Sequence, residues 1–214
     1  MNNFSLKNIK NIVFDLGGVI ITLDRDKAVK SFLNAGLKNA EELLSAYHQK
    51  GIFLALEEGK LSQEEFYDAV REEAGTFISN ETIDNGWMAF LKEIPENKLT
   101  LLEELRRKGY KLYLLSNTNP IIMSWAHTPA FSPQGKRIDE FFDKLYLSYQ
   151  IGYTKPDTEI FRFMFNDSGM IPSETLFIDD GIANIEAGKK LGMKTFLAVN
   201  GEDFGYLFNS TLTD

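Results

Sequence analysis

Residues 12–20, IVFDLGGVI, decide the fold of this chain. A short apolar run passes into one carboxylate, Asp15, and then into Gly17 and Gly18. Such a run, ended by glycines, predicts a buried β-strand that stops at a tight turn. Asp15 would then lie at the carboxyl end of the strand, where ligands bind in open α/β sheets. A charged side chain is costly there unless a metal ion or a cationic group compensates it.

The composition narrows the classes of function. The 214 residues, 43% of them apolar, suit one α/β domain or a core with a small accessory domain. The formal net charge of −8 argues against nucleic acid as a partner. The absence of cysteine excludes disulfides and thiolate chemistry, and the two histidines, His48 and His127, are too few for a His-rich zinc site. Because we find neither a signal peptide nor a membrane span, we expect a soluble cytoplasmic protein.

Strands alternate with amphipathic helices over most of the chain. The short apolar or β-rich runs that predict strands are 11–15, 111–115, 144–148, 175–178 and 194–199. The helical patterns between and after them are 97–108, 157–167 and 183–191. This alternation predicts an α/β fold with a parallel, doubly wound, Rossmann-like sheet.

Residues 24–91 have a different character. Apolar residues recur there at helical spacing, strand-like runs are absent, and Ser62 with Glu65 forms a capping box ahead of a helix. We expect this block to be a helical cap domain inserted after the first strand, with residues 1–23 and 92–214 forming the core. A lid in this position could exclude water and select the substrate.

Polar side chains stand at the ends of several predicted strands, and these ends meet at one edge of a parallel sheet. The polar residues in question are Asp15, Ser116, Asn117, Lys155, Asp179 and Asp180. Carboxylates from two strand ends are a ligand set that suits Mg²⁺. A carboxylate such as Asp15 can also act as a nucleophile, while a hydroxyl and a lysine can hold and neutralise phosphoryl oxygens.

Each of these signals also has an ordinary structural interpretation. An aspartate at a strand end is often a turn former, and a Ser-Asn pair is more often a loop signal than a site. Lys155, which precedes a proline, resembles a solvated surface lysine. Asp179 and Asp180 could cap the next helix. However, two adjacent carboxylates after an apolar strand are costly without a cation, so this feature favours a functional site.

Taken together and in order, the motifs resemble those of the haloacid dehalogenase-like (HAD) hydrolase superfamily. The matching segments are VFDLGGV around Asp15, LLSN ending at Asn117, Lys155-Pro156, and FIDD ending at Asp180 with Asn184 four positions later. The helical insert resembles the small four-helix cap of that superfamily. The DLG variant, followed by Val-Ile-x-x-Leu-Asp24, is similar to the branch that contains α-glucose-1-phosphate phosphatase and the phosphatase domain of soluble epoxide hydrolase-like proteins.

The resemblance implies a Mg²⁺-dependent phosphatase. Asp15 would be the nucleophile and would form an aspartyl-phosphate. Asp15, Asp180 and the backbone carbonyl of Gly17 would hold Mg²⁺, with Asp179 as a further ligand or as support.

The resemblance also implies roles for the remaining motif residues. Ser116 and Asn117 would bind the phosphoryl group, and Lys155 would pair with both that group and Asp15. Asn184 would steady the acidic loop. The substrate would be a small phosphorylated metabolite, of which a sugar phosphate is one candidate.

Gly17 departs from the pattern of the superfamily. Most of its phosphatases carry a second aspartate two residues after the nucleophile as general acid and base, and glycine cannot transfer a proton. Asp24, His48, a water or the substrate itself would have to deliver it, and we favour Asp24. Because general acid–base help is typically worth ~10²–10⁴-fold, a slow or substrate-assisted enzyme is one outcome.

Three alternatives stay open beside the phosphatase. A 2-haloacid dehalogenase needs no metal and usually lacks the paired acid, so Asp179 and Asp180 argue against it. A phosphomutase must shuttle protons in both directions, which the missing acid makes difficult. A catalytically weak or inactive phosphometabolite-binding protein is kept open by Gly17. The sequence does not define the oligomeric state.

Overall fold

The computed structural model describes residues 6–45 and 49–209. The strands of these residues are β1 (Asn11–Phe14), β2 (Thr22–Leu23), β3 (Leu91–Glu93), β4 (Lys111–Ser116), β5 (Lys144–Leu147), β6 (Thr175–Asp179) and β7 (Lys194–Leu197). Five of them form a parallel sheet in the order β5-β4-β1-β6-β7. The predicted parallel sheet is therefore confirmed, and the first strand of the chain lies at its centre.

The described residues form four α-helices between residues 25 and 74 and six α-helices after residue 74. They are α1 (Arg25–Ala35), α2 (Ala40–Leu43), α3 (Gly51–Glu57), α4 (Gln63–Ala74), α5 (Asn80–Met88), α6 (Glu96–Arg107), α7 (Pro120–Ala126), α8 (Ser148–Ile151), α9 (Thr158–Ser168) and α10 (Ile182–Lys190). None of the described helices combines the length and the apolar character that crossing a bilayer requires.

Both faces of the central strand are buried. Ile12 and Phe14 belong to one apolar cluster, while Val13 between them belongs to a second cluster. Since successive side chains of a strand point to opposite faces, the sheet is covered on both sides. This explains why β1 reads as a continuous apolar run rather than an alternating one.

The register of the sheet brings the motif residues to one edge. Phe14 pairs with Leu114 on one side and with Ile178 on the other. The residues that follow this row therefore emerge side by side at the carboxyl edge, and the N–H of Asp15 donates to the carbonyl of Ile178 at 2.9 Å.

The segment between β2 and β3 is helical, as predicted. The antiparallel pair of β2 and β3 closes its base, so the expectation that residues 24–91 lack strands is wrong at its last residue, Leu91, where β3 begins. Helix α2 has only four residues, which leaves four longer helices, α1 and α3 to α5. The capping box of Ser62 and Glu65 is present at the start of α4.

Aromatic packing orients α3 within this segment. The ring of Phe53 lies edge-on to those of Phe32 and Phe66, with centroids 5.0 and 5.2 Å apart, and 5.3 Å from that of Trp87. Edge-to-face pairs of this kind add specific geometry to apolar burial. The same apolar cluster includes residues of the sheet, so it joins the helical segment to the core.

Candidate active site

A cavity lies at the carboxyl edge of the sheet, beneath the helical segment; with the open solvent at its mouth, its empty space is about 740 Å³. Its lining includes the motif residues Asp15, Gly17, Ser116, Asn117, Lys155, Asp180 and Asn184. The helical segment contributes Gln49, Glu57, Trp87 and Phe90.

Lys155 holds two of the predicted aspartates together. Its Nζ atom lies 2.8 Å from Oδ1 of Asp15 and 2.7 Å from Oδ2 of Asp179, and the lysine is only 1% exposed. Burial lowers the pKa of Lys155, but the carboxylates of Asp15 and Asp179 outweigh it and raise that pKa above its usual value. The lysine therefore stays cationic, and it is not the solvated surface residue of the ordinary interpretation.

The three aspartates carry more negative charge than Lys155 balances. Asp15, Asp179 and Asp180 each offer an oxygen, and these oxygens lie within 4.8 Å of one another. Burial raises the pKa of Asp15, and burial together with the charges of Asp15 and Asp179 raises that of Asp180 to about 8. Clustered carboxylates that resist ionisation mark a place where a divalent cation would be bound. Because all the donors are oxygen, the set fits Mg²⁺.

Asp179 is committed to hydrogen bonds within the protein. Its Oδ1 accepts from the N–H of Gly181 at 2.7 Å and from Nδ2 of Asn184 at 2.9 Å, while Oδ2 accepts from Lys155. With these bonds, Asp179 is better placed to support the site than to bind a metal ion directly. The bond from Asn184 ties the start of α10 to the loop that carries Asp179 and Asp180.

The turn after β1 requires glycine at its second position. Gly18 has a φ of +75°, and a Cβ atom there would lie 2.0 Å from Oδ2 of Asp180. A side chain at this position would therefore displace a predicted metal ligand. Gly17 lies in the cavity wall, where a Cβ atom would approach Cδ1 of Leu23 to 2.8 Å.

Ser116 and Asn117, at the end of β4, make different contacts. Ser116 is buried in the cavity wall, and its hydroxyl makes a long hydrogen bond of 3.3 Å to the carbonyl of Asn117. The side chain of Asn117 instead accepts from the N–H of Lys155 at 2.7 Å and donates to its carbonyl at 2.9 Å. This clamp fixes the backbone of Lys155, and the binding of the phosphoryl group by Asn117 stays a prediction.

Asp24 does not join the other predicted residues. Its carboxylate accepts from the N–H of Lys27 at 3.0 Å and thereby caps α1, and Asp24 is not part of the cavity lining. The expectation that Asp24 delivers a proton is thus not supported by its position. The alternative proton donor, His48, lies outside the described residues. Nδ1 of the other histidine, His127, lies 3.1 Å from Oδ1 of Asp139, and His127 does not line the cavity.

Two candidate functional residues were not predicted from the sequence. Glu57 and Trp87 lie in the cavity wall, yet both sit on faces of helices whose spacing predicts a core. A signal for Glu57 was present: it follows Phe53 by four residues, which places a carboxyl group on the apolar face of α3.

Known hydrolases are among the proteins similar to this chain. The sequence profile of the haloacid dehalogenase-like hydrolase family matches residues 9–192. A D-ribitol-5-phosphate phosphatase from Bacteroides thetaiotaomicron is 54% identical over 196 residues, which cover 92% of this chain and 95% of that protein.

Solved structures with the same fold bear out the expected architecture. A predicted HAD-like family hydrolase from Porphyromonas gingivalis has a TM-score of 0.88 at 42% identity, covering 96% of each chain. A HAD family enzyme from Bacteroides thetaiotaomicron, in complex with magnesium and inorganic phosphate, has a TM-score of 0.85 at 41% identity, covering 94% of this chain and 100% of that one. The α/β fold and the resemblance read from the motifs are confirmed, and this chain belongs to the haloacid dehalogenase-like hydrolase family.

Proposed function

We propose that this chain is a Mg²⁺-dependent phosphatase that hydrolyses a small sugar or polyol phosphate through an aspartyl-phosphate on Asp15. The observation that carries this proposal is the buried contact of 2.8 Å between Asp15 and Lys155, beside two further carboxylates in one cavity. The D-ribitol-5-phosphate phosphatase that is 54% identical supports the phosphorylated substrate.

The nucleophile is the carboxylate of Asp15. It attacks phosphorus, the bond from phosphorus to the ester oxygen breaks, and a water then attacks the aspartyl-phosphate to release inorganic phosphate. Lys155 neutralises charge on the transferring group, and the hydroxyl of Ser116 donates a hydrogen bond to it. Asn117 acts through the backbone of Lys155, which it holds by two hydrogen bonds.

Asp15, Asp180 and the carbonyl of Gly17 are the groups that would hold Mg²⁺. When bound, the ion neutralises negative charge shared by the phosphoryl group and the aspartates. Asp179 and Asn184 support this set through their mutual hydrogen bond of 2.9 Å. Because glycine occupies position 17 and Asp24 caps α1, the leaving oxygen takes its proton from His48, a water or the substrate.

The helical segment serves as the cap of this site. We divide the chain into a core of residues 1–23 and 92–214 and a cap of residues 24–91. Its side chains Glu57, Trp87 and Phe90 complete the cavity wall, so the cap excludes water and contacts the organic part of the substrate.

The alternative is a phosphometabolite-binding protein without turnover, and Gly17 is the observation that favours it. Phosphate release from 4-nitrophenyl phosphate and a panel of sugar and polyol phosphates separates the two. We expect turnover that requires Mg²⁺, stops in EDTA and is lost in Asp15→Asn. Binding of the same esters without turnover, in folded and Mg²⁺-loaded protein, would support the alternative. Activity on 2-haloacids in EDTA would instead indicate a dehalogenase.

A further inference from the structure

Glu57 is a buried acid that the reaction scheme above does not use. It is 5% exposed, lies near the end of α3 and lines the cavity together with Asp15. Among the described residues, its carboxyl group has neither a hydrogen bond nor an ion pair, and its oxygens, which are not among the fully buried unpaired atoms, open to the cavity. A largely buried carboxyl group without a protein partner is costly unless water or a ligand satisfies it, so its place in the cavity wall points to a ligand group that does so.

The position of Glu57 is fixed by the junction that follows it. Gly59 has a φ of +66°, and a Cβ atom there would lie 2.2 Å from the carbonyl oxygen of Tyr149 in α8. The end of α3 therefore packs directly on the backbone of the core. Phe53, one turn before Glu57, is held by its aromatic neighbours. Both anchors keep the carboxyl group in the cavity wall.

Further polar groups of the cap lie in the same wall. The indole N–H of Trp87 is buried without a hydrogen-bond acceptor among the described residues. Gln49 is held in place by the backbone of Ser45, with bonds of 2.9 and 3.1 Å. An unpaired donor and an unpaired carboxyl group in one wall are complementary to hydroxyl groups, which both donate and accept.

The charge of the cavity excludes a second acidic group on the substrate. Lys155 is the one cation among the described residues that line it, and it already contacts two carboxylates. Burial, followed by the charge of Asp15, raises the pKa of Glu57 to about 8, so this group is mostly protonated near neutral pH. The cap side of the cavity therefore offers neutral hydrogen-bonding groups and no cation for a carboxylate or a second phosphate.

We propose that Glu57 sets the substrate specificity of this site, by hydrogen-bonding a hydroxyl of the substrate's organic part and favouring neutral polyol or sugar phosphates over esters with a second acidic group. This inference rests on the proposed phosphatase function. It makes Glu57 a specificity residue that contacts the part of the substrate remote from phosphorus.

The test compares two esters of equal chain length, a pentitol 5-phosphate and n-pentyl phosphate. In Glu57→Leu, we expect the ratio of their kcat/KM values to fall by about 10–100-fold, since one hydrogen bond in a buried site is lost. In Glu57→Gln, the amide still donates and accepts, and the ratio falls by less than about tenfold. Glu58→Gln is the matched control, because Glu58 pairs with Lys60 and does not line the cavity. This control keeps the wild-type ratio.

Other outcomes would overturn the inference. An unchanged ratio in Glu57→Leu would show that Glu57 does not contact the hydroxyls. If Glu57→Gln and Glu57→Leu lowered kcat/KM equally, and did so for n-pentyl phosphate as well, Glu57 would be assigned to proton transfer instead. Since the protonated carboxyl group and the amide are both neutral, we expect Glu57→Gln to leave turnover of 2-phosphoglycolate relative to n-pentyl phosphate unchanged near neutral pH. A rise in this ratio would show that Glu57 is charged in the working enzyme and would contradict its role as a neutral hydrogen-bonding group.

A binding measurement separates this inference from the proposed function. Calorimetric titration of pentitol 5-phosphate into Mg²⁺-loaded Asp15→Asn protein, with and without Glu57→Leu, requires no turnover. We expect binding that weakens about 10–100-fold in the double variant. If wild type hydrolyses no ester yet this loss is seen, the phosphatase proposal fails and the role of Glu57 stands. If wild type is active and the loss is absent, the role of Glu57 is contradicted.

Discussion

Nζ of Lys155 lies 2.8 Å from Oδ1 of Asp15, and both side chains are buried at the carboxyl edge of the sheet. The two residues are 140 positions apart in sequence, and the loop that carries Lys155 is held by Asn117. The same Nζ lies 2.7 Å from Asp179. One cation therefore compensates two buried carboxylates that would otherwise lack a positively charged partner.

Lys155→Met should destabilise the metal-free protein strongly. Removing one partner of a buried ion pair costs about 3–5 kcal/mol, because the remaining charge is left uncompensated. We expect a loss of this order in the free energy of unfolding, measured by urea denaturation in EDTA, and a partial recovery when Mg²⁺ is added. Lys144→Met is the control, since Lys144 pairs with Asp167 at the surface and exposed pairs contribute about 1 kcal/mol or less. Equal losses in both variants would contradict the account.

Gly18→Ala should abolish activity. The added Cβ atom would meet Oδ2 of Asp180 at 2.0 Å, and the φ of +75° is strained for any L side chain. We expect phosphate release to fall by at least about 100-fold, together with a loss of Mg²⁺ affinity measured by calorimetry. Gly135→Ala is a matched control, because Gly135 has a φ of +72° but nothing within 4 Å of the added atom. It should lose about 1–2 kcal/mol of stability without loss of activity. Full activity in Gly18→Ala would show that the Asp180 carboxylate is not needed where it lies.

Asp24→Ala tests the proton donor that sequence reasoning favoured. Because the Asp24 carboxylate caps α1, its loss should lower the free energy of unfolding by about 0.5–2 kcal/mol. Turnover of 4-nitrophenyl phosphate and of alkyl phosphates should stay within a few-fold of wild type. A loss of ~10²–10⁴-fold in kcat, larger for the alkyl esters, would restore Asp24 as the general acid.

Glu57 should make the metal-free protein less stable as the pH rises. Its pKa is about 8 in the folded state and about 4.3 in an unfolded chain. The folded state therefore binds the proton more tightly, and the stabilisation present below about pH 4.3 is lost progressively as the pH approaches 8. In EDTA, the stability of wild type relative to Glu57→Gln should fall between pH 5 and pH 8. A difference that does not change with pH would contradict the burial of this carboxyl group in a protonated form.

The sequence was sufficient to predict the sheet and its functional edge. The strand before Asp15 reads as apolar on both faces, and the alternation of strands and helices places Asp15, Ser116 and Asp179 at one edge by topology alone. The glycines after Asp15 mark the turn. These features follow from local patterns, so they do not require knowledge of distant contacts.

The parts that could not be predicted depend on contacts between distant segments. The two hydrogen bonds by which Asn117 holds the backbone of Lys155 could not be predicted, because the two residues are 38 positions apart. Glu57 occupies a position on α3 that helical spacing assigns to the core, and only the fold places it at a cavity. Helix α7 was not predicted, because it is short and begins in a polar run that indicates a loop. Its start did carry a signal, since Asn119 followed by proline is typical of a helix N-terminus.

The central claim is that Asp15 becomes covalently phosphorylated. The most direct test is an acid quench of the Mg²⁺-loaded enzyme during turnover of a sugar phosphate, followed by mass spectrometry of its peptides. We predict the mass of one phosphoryl group on the peptide that contains residues 12–20, localised to Asp15 and absent in Asp15→Asn and in EDTA. Rapid phosphate release with no phosphorylated peptide at any quench time, or phosphorylation at another residue, would contradict the account.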